Sequence, residues 1–200
     1  MDPISRFDVP NLDQLPDDVR SYIVGVQERS GFVPNVFLAL AHRPDECRAF
    51  IAYHDAVMER DGGLSRAERE MIVVATSAAN DCLYCVVAHG AILRIRAKAP
   101  RLADQIAIDH KTAEITPRQR AMLDFAVKLA VHPAQVQDTD LERLRALGFS
   151  EDDIWDIGAV TALFALSNRM AHLTRMRPND GFYLMGRVPK DVYSELVEQA

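Results

Sequence analysis

The 200-residue sequence has little of what punctuates or staples a chain: 9 glycines, 10 prolines, three cysteines and a single tryptophan. Glycine and proline at that level exclude collagen-like and low-complexity chains. Three cysteines, an odd number, cannot complete the disulfide framework of a small secreted domain. No cluster of Lys or Arg could neutralise several phosphates together. With 23 basic against 29 acidic residues the net charge is −6, so neither nucleic acid nor an anionic membrane is expected as a partner. Long apolar runs are missing too: residues 157–166 form the longest, about half of the roughly 20 needed to cross a bilayer, and read as a buried helix. The first residues, Met1 to Arg6, carry no apolar stretch behind positive charges, which predicts no secretory leader and a cytoplasmic protein. Without a Gly-rich phosphate loop, no nucleotide or flavin is implied, and no cofactor is expected.

What is present is the composition of one globular unit, 48% hydrophobic and 26% charged, enough to build a core unaided. Residues 1–15, with Pro3 and Pro10, read as an irregular arm. Residues 16–176 read as a helical domain, and 177–200 as a tail. Asp17 or Asp18 is expected to cap a helix to about Arg29, ended by Gly31. A short helix follows near 35–41, and Pro44 opens another to about Arg60, stopped by Asp61-Gly62-Gly63. Ser65 with Glu68 forms a capping box that opens a helix to about Ala79. Asn80 and Asp81 are expected to cap the next, from about Cys82 to Lys98, before Pro100. Thr116 with Gln119 is a second box, its helix ending at His132-Pro133. A helix over 138–147 closes at Gly148, and Ser150 begins the last long one, to about Met176. No five residues alternate as a strand, so the fold class is all-α.

The segments opening at Ser65 and Thr116 share a cap, an Arg and an apolar frame, a weak internal duplication. In the tail, Phe182, Tyr183, Leu184 and Met185 fall outside the helical frame and are expected to pack on the domain or on a neighbouring subunit. Residues 157–166 are apolar around the whole helix circumference, so a homo-oligomer with contacts through the last helix and tail is expected. Trp155 is expected in the core and Cys47 as a buried small hydrophobe. His42, His54, His110 and His132 read as surface, cap or hydrogen-bonded histidines. Asn168, Arg169 and His172, which follow the apolar run, are expected to face either an interface, the favoured reading, or the pocket.

The chemistry concentrates between Glu70 and His89. Residues three and four apart are neighbours on a helix, so Cys82, Cys85 and His89 share one stripe. Cys82 falls at a helix start, where free N–H groups and the dipole favour a thiolate, and Cys85 can approach His89. The i,i+3 spacing brings the two sulfurs into range of a disulfide. Glu70 sits among Met71, Ile72, Val73 and Val74 with no local basic partner. It is either a proton acceptor in apolar surroundings or simply exposed. Zinc would need a second ligand pair at similar spacing, and recruiting Cys47 from another helix would not complete one, so no metal is expected. A c-type haem needs His directly after the second Cys, where Val86 stands.

Glu70, then Cys82-x-x-Cys85 twelve positions on, then His89, resembles the signature of the alkylhydroperoxidase D family within the carboxymuconolactone decarboxylase-like superfamily. The stretch from Gly31 to Asp45, and the later Leu147-Gly148-Phe149 and Ser167-Asn168-Arg169 segments, resemble its longer peroxidase-related branch. The resemblance covers roughly residues 15–176. It implies an all-helical fold, frequent homo-oligomers and a dithiol site that reduces peroxides or relays electrons. Where that pattern carries a second His between the cysteines, this sequence has Tyr84, which is either pocket lining or packed core.

The expected activity is therefore thiol-dependent reduction of a hydroperoxide or disulfide, with catalytic residues Glu70, Cys82, Cys85 and His89. Cys85 is expected to attack, with Glu70 taking the proton through His89 or a water. Cys82 then closes the disulfide, which an external dithiol donor reopens. The opposite order, Cys82 attacking from the helix end, remains open. So do a decarboxylase-like acid/base enzyme and a non-catalytic dithiol sensor or scaffold.

Overall fold

A computed structural model describes residues 3–189, 192 and 193. Its elements among these residues are helices, with no strand: α1 (Asp17–Ser30), α2 (Asn35–Leu40), α3 (Pro44–Met58), α4 (Arg66–Ala79), α5 (Leu83–Ala97), α6 (Leu102–Asp109), α7 (Pro117–Val131), α8 (Asp138–Ala146), α9 (Glu151–Thr174) and α10 (Asp180–Leu184). Three of them start at reciprocal caps. The hydroxyls of Ser65, Thr116 and Ser150 accept from the N–H groups of Glu68, Gln119 and Asp153 at 3.2, 3.2 and 3.1 Å. Each of those three side chains reaches back to the cap N–H, so two otherwise orphaned donors are satisfied at each start. At the end of α8, Gly148 takes φ +82°, and the N–H groups of Gly148 and Phe149 close on Arg145 and Leu144. That left-handed position is the reason for a glycine there.

Three expectations need correcting. Asp17 and Asp18 do not cap α1: Pro16 holds that place and the carboxylates lie in the first turn, where they suit the helix dipole. Helix α6 was not anticipated, because its buried face is only Leu102, Ala103 and Ile106, a stripe too short to show periodicity. Phe182, Tyr183 and Leu184 are helical, in α10.

The centre of the molecule is α4, in which every residue from Arg69 to Ser77 is buried. Helices α5, α6, α7 and α9 surround it. Helix α9 buries one side only. Its buried positions include Ile154, Ile157, Val160, Thr161 and Phe164, so helical geometry turns Trp155 outward, and that residue is 75% exposed rather than in the core.

The paired capping segments have matching interiors. Arg69 and Arg120, at equivalent places, both donate to backbone carbonyls of the segment preceding their own helix: Arg69 to Val57, Arg120 to His110 and Ala113. Only Arg69 continues to a carboxylate, Asp156 on α9, at 2.7 Å with both groups buried. The arm is tied down as well. Arg6 donates its N–H to Thr174 at the end of α9, and Leu15 joins a small cluster with Val19, Ile23 and Cys47. Burial there pushes the Cys47 thiol up to about 11, out of reactive range.

Residues 180–187 of the tail pack on the domain of their own chain, while residues 190, 191 and 194–200 lie outside the described ones. Phe182 is buried edge-on to Phe32 and Tyr84, at 4.9 and 6.4 Å between centroids. The Arg94 guanidinium on α5 donates to the carbonyls of Phe182 and Met185.

Candidate active site

The turn between α4 and α5 is made by the end of α4. The N–H of Cys82 closes on Ser77 at 2.9 Å and that of Asp81 on Ala78 at 3.0 Å, while Asp81 takes φ +53°. This is the glycine-type helix stop, with aspartate in the left-handed place. Asn80 therefore ends α4, and the N-cap of α5 is Cys82 itself. The sulfur consequently faces the unpaired N–H groups of the first turn, including that of Cys85.

The two thiols are unequal. Cys82 is held at about 6, below a thiol's ordinary 9, first by a hydrogen bond from the Cys85 thiol and then, against a burial cost, by the Cys85 N–H, the His172 charge and the Asn168 amide. Cys85 is pushed well above its ordinary range, first because its proton is held by Cys82 and then by burial. Its other polar contacts are the Ser167 hydroxyl, at 3.6 Å, and the Asn168 amide. A proton shared by the pair thus sits on Cys85 and the negative charge on Cys82.

A polar network, buried at Ser77 and Asn168 and open at His172, carries α9 onto this turn. Asn168 donates to the Ser77 hydroxyl at 3.0 Å and accepts from Asn80 at 3.2 Å, and His172 Nε2 meets the Asn80 carbonyl at 2.8 Å. Asn168 is 1% exposed, so it belongs to the site rather than to an interface. Arg169 faces outward and bonds to the Ala165 carbonyl. Of these residues the sequence marks Asn80 only as a helix cap and Ser167 only within the family resemblance, and Ser77 not at all. The available signal was a small polar side chain interrupting an apolar run.

Glu70 is buried, not exposed, and its partners come from α5: His89 Nδ1 at 2.7 Å and Arg96 Nη1 at 3.3 Å. A carboxylate only accepts, so in the neutral imidazole this bond places the proton on Nδ1 and leaves Nε2 as the acceptor. The ring stands edge-on to Phe164 at 4.6 Å. No hydrogen bond joins His89 to Cys85, whose polar contacts are Cys82, Ser167 and Asn168.

Cys82 lies in the wall of a half-open cavity of about 540 Å³, enclosed by the arm, the α4–α5 turn, the end of α9 and α10. Tyr84 backs this cavity while being packed itself, its hydroxyl accepting from the Val36 N–H at 3.1 Å. Burial pushes its phenol far up, so it is no substitute proton carrier for a histidine. Among the described residues no three His, Cys, Asp or Glu side chains converge as metal ligands, and no helix is long and apolar enough to cross a membrane.

Residues 44–108, from α3 to α6, match the carboxymuconolactone decarboxylase family. The chain is 65% identical, with a TM-score of 0.93, to an alkylhydroperoxidase AhpD core structure, an uncharacterized peroxidase-related protein from Ralstonia eutropha JMP134. That similarity covers 95% of this chain and 100% of the other. A peroxidase-related protein from Silicibacter sp. TM1040 is 40% identical over 94% of this chain and 99% of its own, with a TM-score of 0.88. The debrominase Bmp8 shares the fold, at 17% identity and a TM-score of 0.73 over 98% of both chains. No functionally curated protein matches.

Proposed function

Because the chain belongs to the carboxymuconolactone decarboxylase family, among its alkylhydroperoxidase D-like members, we propose that it is a thiol-dependent oxidoreductase that reduces hydroperoxides with Cys82 and Cys85. The observation that carries the reading is the unequal pair: a thiolate at a helix N-cap on a cavity wall, with a protonated thiol one turn behind it. The peroxidase-related names of two similar proteins support it.

In this reading the Cys82 thiolate attacks the terminal oxygen of the hydroperoxide. The O–O bond breaks, the alkoxide takes a proton and leaves as the alcohol, and Cys82 becomes a sulfenic acid. The Cys85 sulfur then attacks the Cys82 sulfur and loses its proton. Hydroxide leaves, is protonated to water, and the disulfide closes. An external dithiol restores both thiols and carries away the two electrons as its own disulfide. The buried Cys85 needs a base for its step. His89, one turn along the same helix with Nε2 free to accept, serves directly or through a water, and Glu70 holds its tautomer. The order of attack in this reading is the alternative that the sequence leaves open, Cys82 first, and the electrostatics that favour charge on Cys82 support it.

Hydroperoxide consumption with dithiothreitol as donor tests the reading. Wild-type protein is expected to turn over and Cys82→Ser to be inactive. Cys85→Ser should stop after one turnover with a dimedone-trappable sulfenic acid on Cys82. Trapping on Cys85 in Cys82→Ser would restore the opposite order, and no consumption by the wild type with any dithiol would remove the reading.

A further inference from the structure

The cavity over Cys82 has a charge character opposite to that of the molecule. The whole chain carries −6, yet three arginines, Arg6, Arg175 and Arg177, and His172 line this one opening, facing two carboxylates, Asp81 and Asp180. They arrive from separate parts of the fold. Arg6 is placed by the arm's N–H bond to Thr174, His172 by α9, and Arg175 by the helix stop that ends α9. Among the described residues neither Arg6 nor Arg175 forms an ion pair, so neither guanidinium has a carboxylate partner there.

Arg175 stands in an unfavourable place. It takes φ +56°, and the N–H groups of Arg175 and Met176 close on His172 and Ala171, so it occupies the left-handed helix-stop position where glycine is the ordinary choice. Only three described non-glycine residues have positive φ, and two of them, Asp81 and Arg175, line this cavity. Held strain of this kind concentrates at functional sites. At about 540 Å³ the cavity is in the range of organic ligands and far larger than hydrogen peroxide requires.

We propose that this cavity selects an organic hydroperoxide bearing a carboxylate, which Arg175, with Arg6 beside it, receives while the peroxide group is presented to Cys82. A planar guanidinium fork matches a carboxylate through two parallel N–H bonds. The proposal rests on the reading of Cys82 as the attacking thiol, and the reaction remains the one written above. The alcohol product keeps the carboxylate and an external dithiol supplies the electrons.

The test uses a matched pair of small electrophiles that needs no peroxidase turnover. Alkylation of Cys82 by iodoacetate and by iodoacetamide compares an anionic and a neutral reagent of nearly equal size, and their rate ratio cancels thiol ionisation and access. The ratio in the native protein is expected to exceed that of the same cysteine in the urea-unfolded chain. Arg175→Gly should lower it about tenfold, the size of one charge-assisted hydrogen bond partly screened by solvent. Because glycine suits that backbone, the variant is expected to keep or gain thermal stability, which separates lost recognition from lost folding. Lys98→Gly, at a left-handed position outside the cavity with φ +51°, is the control and should leave the ratio unchanged. A native ratio equal to the unfolded one, an unchanged ratio in Arg175→Gly, or no native alkylation by either reagent would each overturn the proposal.

A second arm compares turnover of cumene hydroperoxide with its para-carboxylate derivative, whose preference should fall in Arg175→Gly in step with the alkylation ratio. Consumption of both without preference, with a flat alkylation ratio, overturns the anion site and leaves the peroxidase reading standing. A shifted alkylation ratio with no peroxide consumption keeps the anion site and removes the peroxidase reading.

Discussion

At the scale of single residues, the site turns on where one proton resides. Cys82 and Cys85 are three apart and equally buried, and the motif alone treats them alike. What separates them is one sulfur at an N-cap facing N–H groups and His172, and the other inside the helix against Ser167. The reaction of Cys82 with a neutral alkylating agent should therefore rise with pH to a midpoint near 6 and then level off, instead of climbing towards 9. Below the midpoint the thiolate takes up a proton and the rate falls about tenfold per pH unit. His172→Gln removes one of the groups that lower the Cys82 midpoint and should move it upward. A midpoint near 9 in the wild type would show that Cys82 does not hold the charge. The identities of Glu70, Cys82, Cys85 and His89 were legible in the sequence, whereas the division of labour was not. It depends on Ser167, Asn168 and His172, which are more than eighty positions away along the chain.

At the scale of elements, local chemistry decided where helices begin and end, and the chemical site is a by-product of one such end. Capping boxes at Ser65, Thr116 and Ser150 are sequence-local, and the structure has them. The stop after α4 was only half legible, because Asn80 and Asp81 mark a break without saying which residue takes the left-handed turn. That choice shifts Cys82 from the first helical turn to the N-cap. Asp81→Gly should leave stability within a few tenths of a kcal/mol, while Asp81→Val should cost about 1–2 kcal/mol by forcing a branched side chain into the left-handed region. Urea midpoints measure the first effect. The alkylation profile measures the second, since a displaced Cys82 loses the N–H contact and its midpoint rises. A valine variant as stable as the wild type would show that the turn is not under this constraint. Helix α6 escaped the sequence reading for the converse reason: its identity comes from packing on α4 and α5, not from a stripe long enough to recognise.

At the scale of the whole molecule, α4 is wrapped by its neighbours, while α9 leaves Trp155, Leu166 and Leu173 at 75, 53 and 53% exposure. They run along one side of α9, and Leu166 and Leu173 border a cleft of about 570 Å³ that also includes Phe50, Tyr53 and Met170. An apolar stripe of that length is expected to associate with a second copy of the chain, whereas Phe182 in the tail is already buried on its own α5 side. Light scattering at micromolar concentration should give a mass above that of one chain, and Leu166→Glu with Leu173→Glu should return it to one. A single-chain mass for the wild type would remove the expectation. By itself the sequence determined the helical class, most helix starts and stops, and which residues carry reactive groups, because caps, periodicity and spacing act within a few residues. Only the tertiary structure decided that Glu70 is buried against His89 and Arg96, that Trp155 faces out, and that Arg6, His172 and Arg175 meet over Cys82. Those outcomes depend on which faces of distant helices are brought together, and no local pattern encodes that.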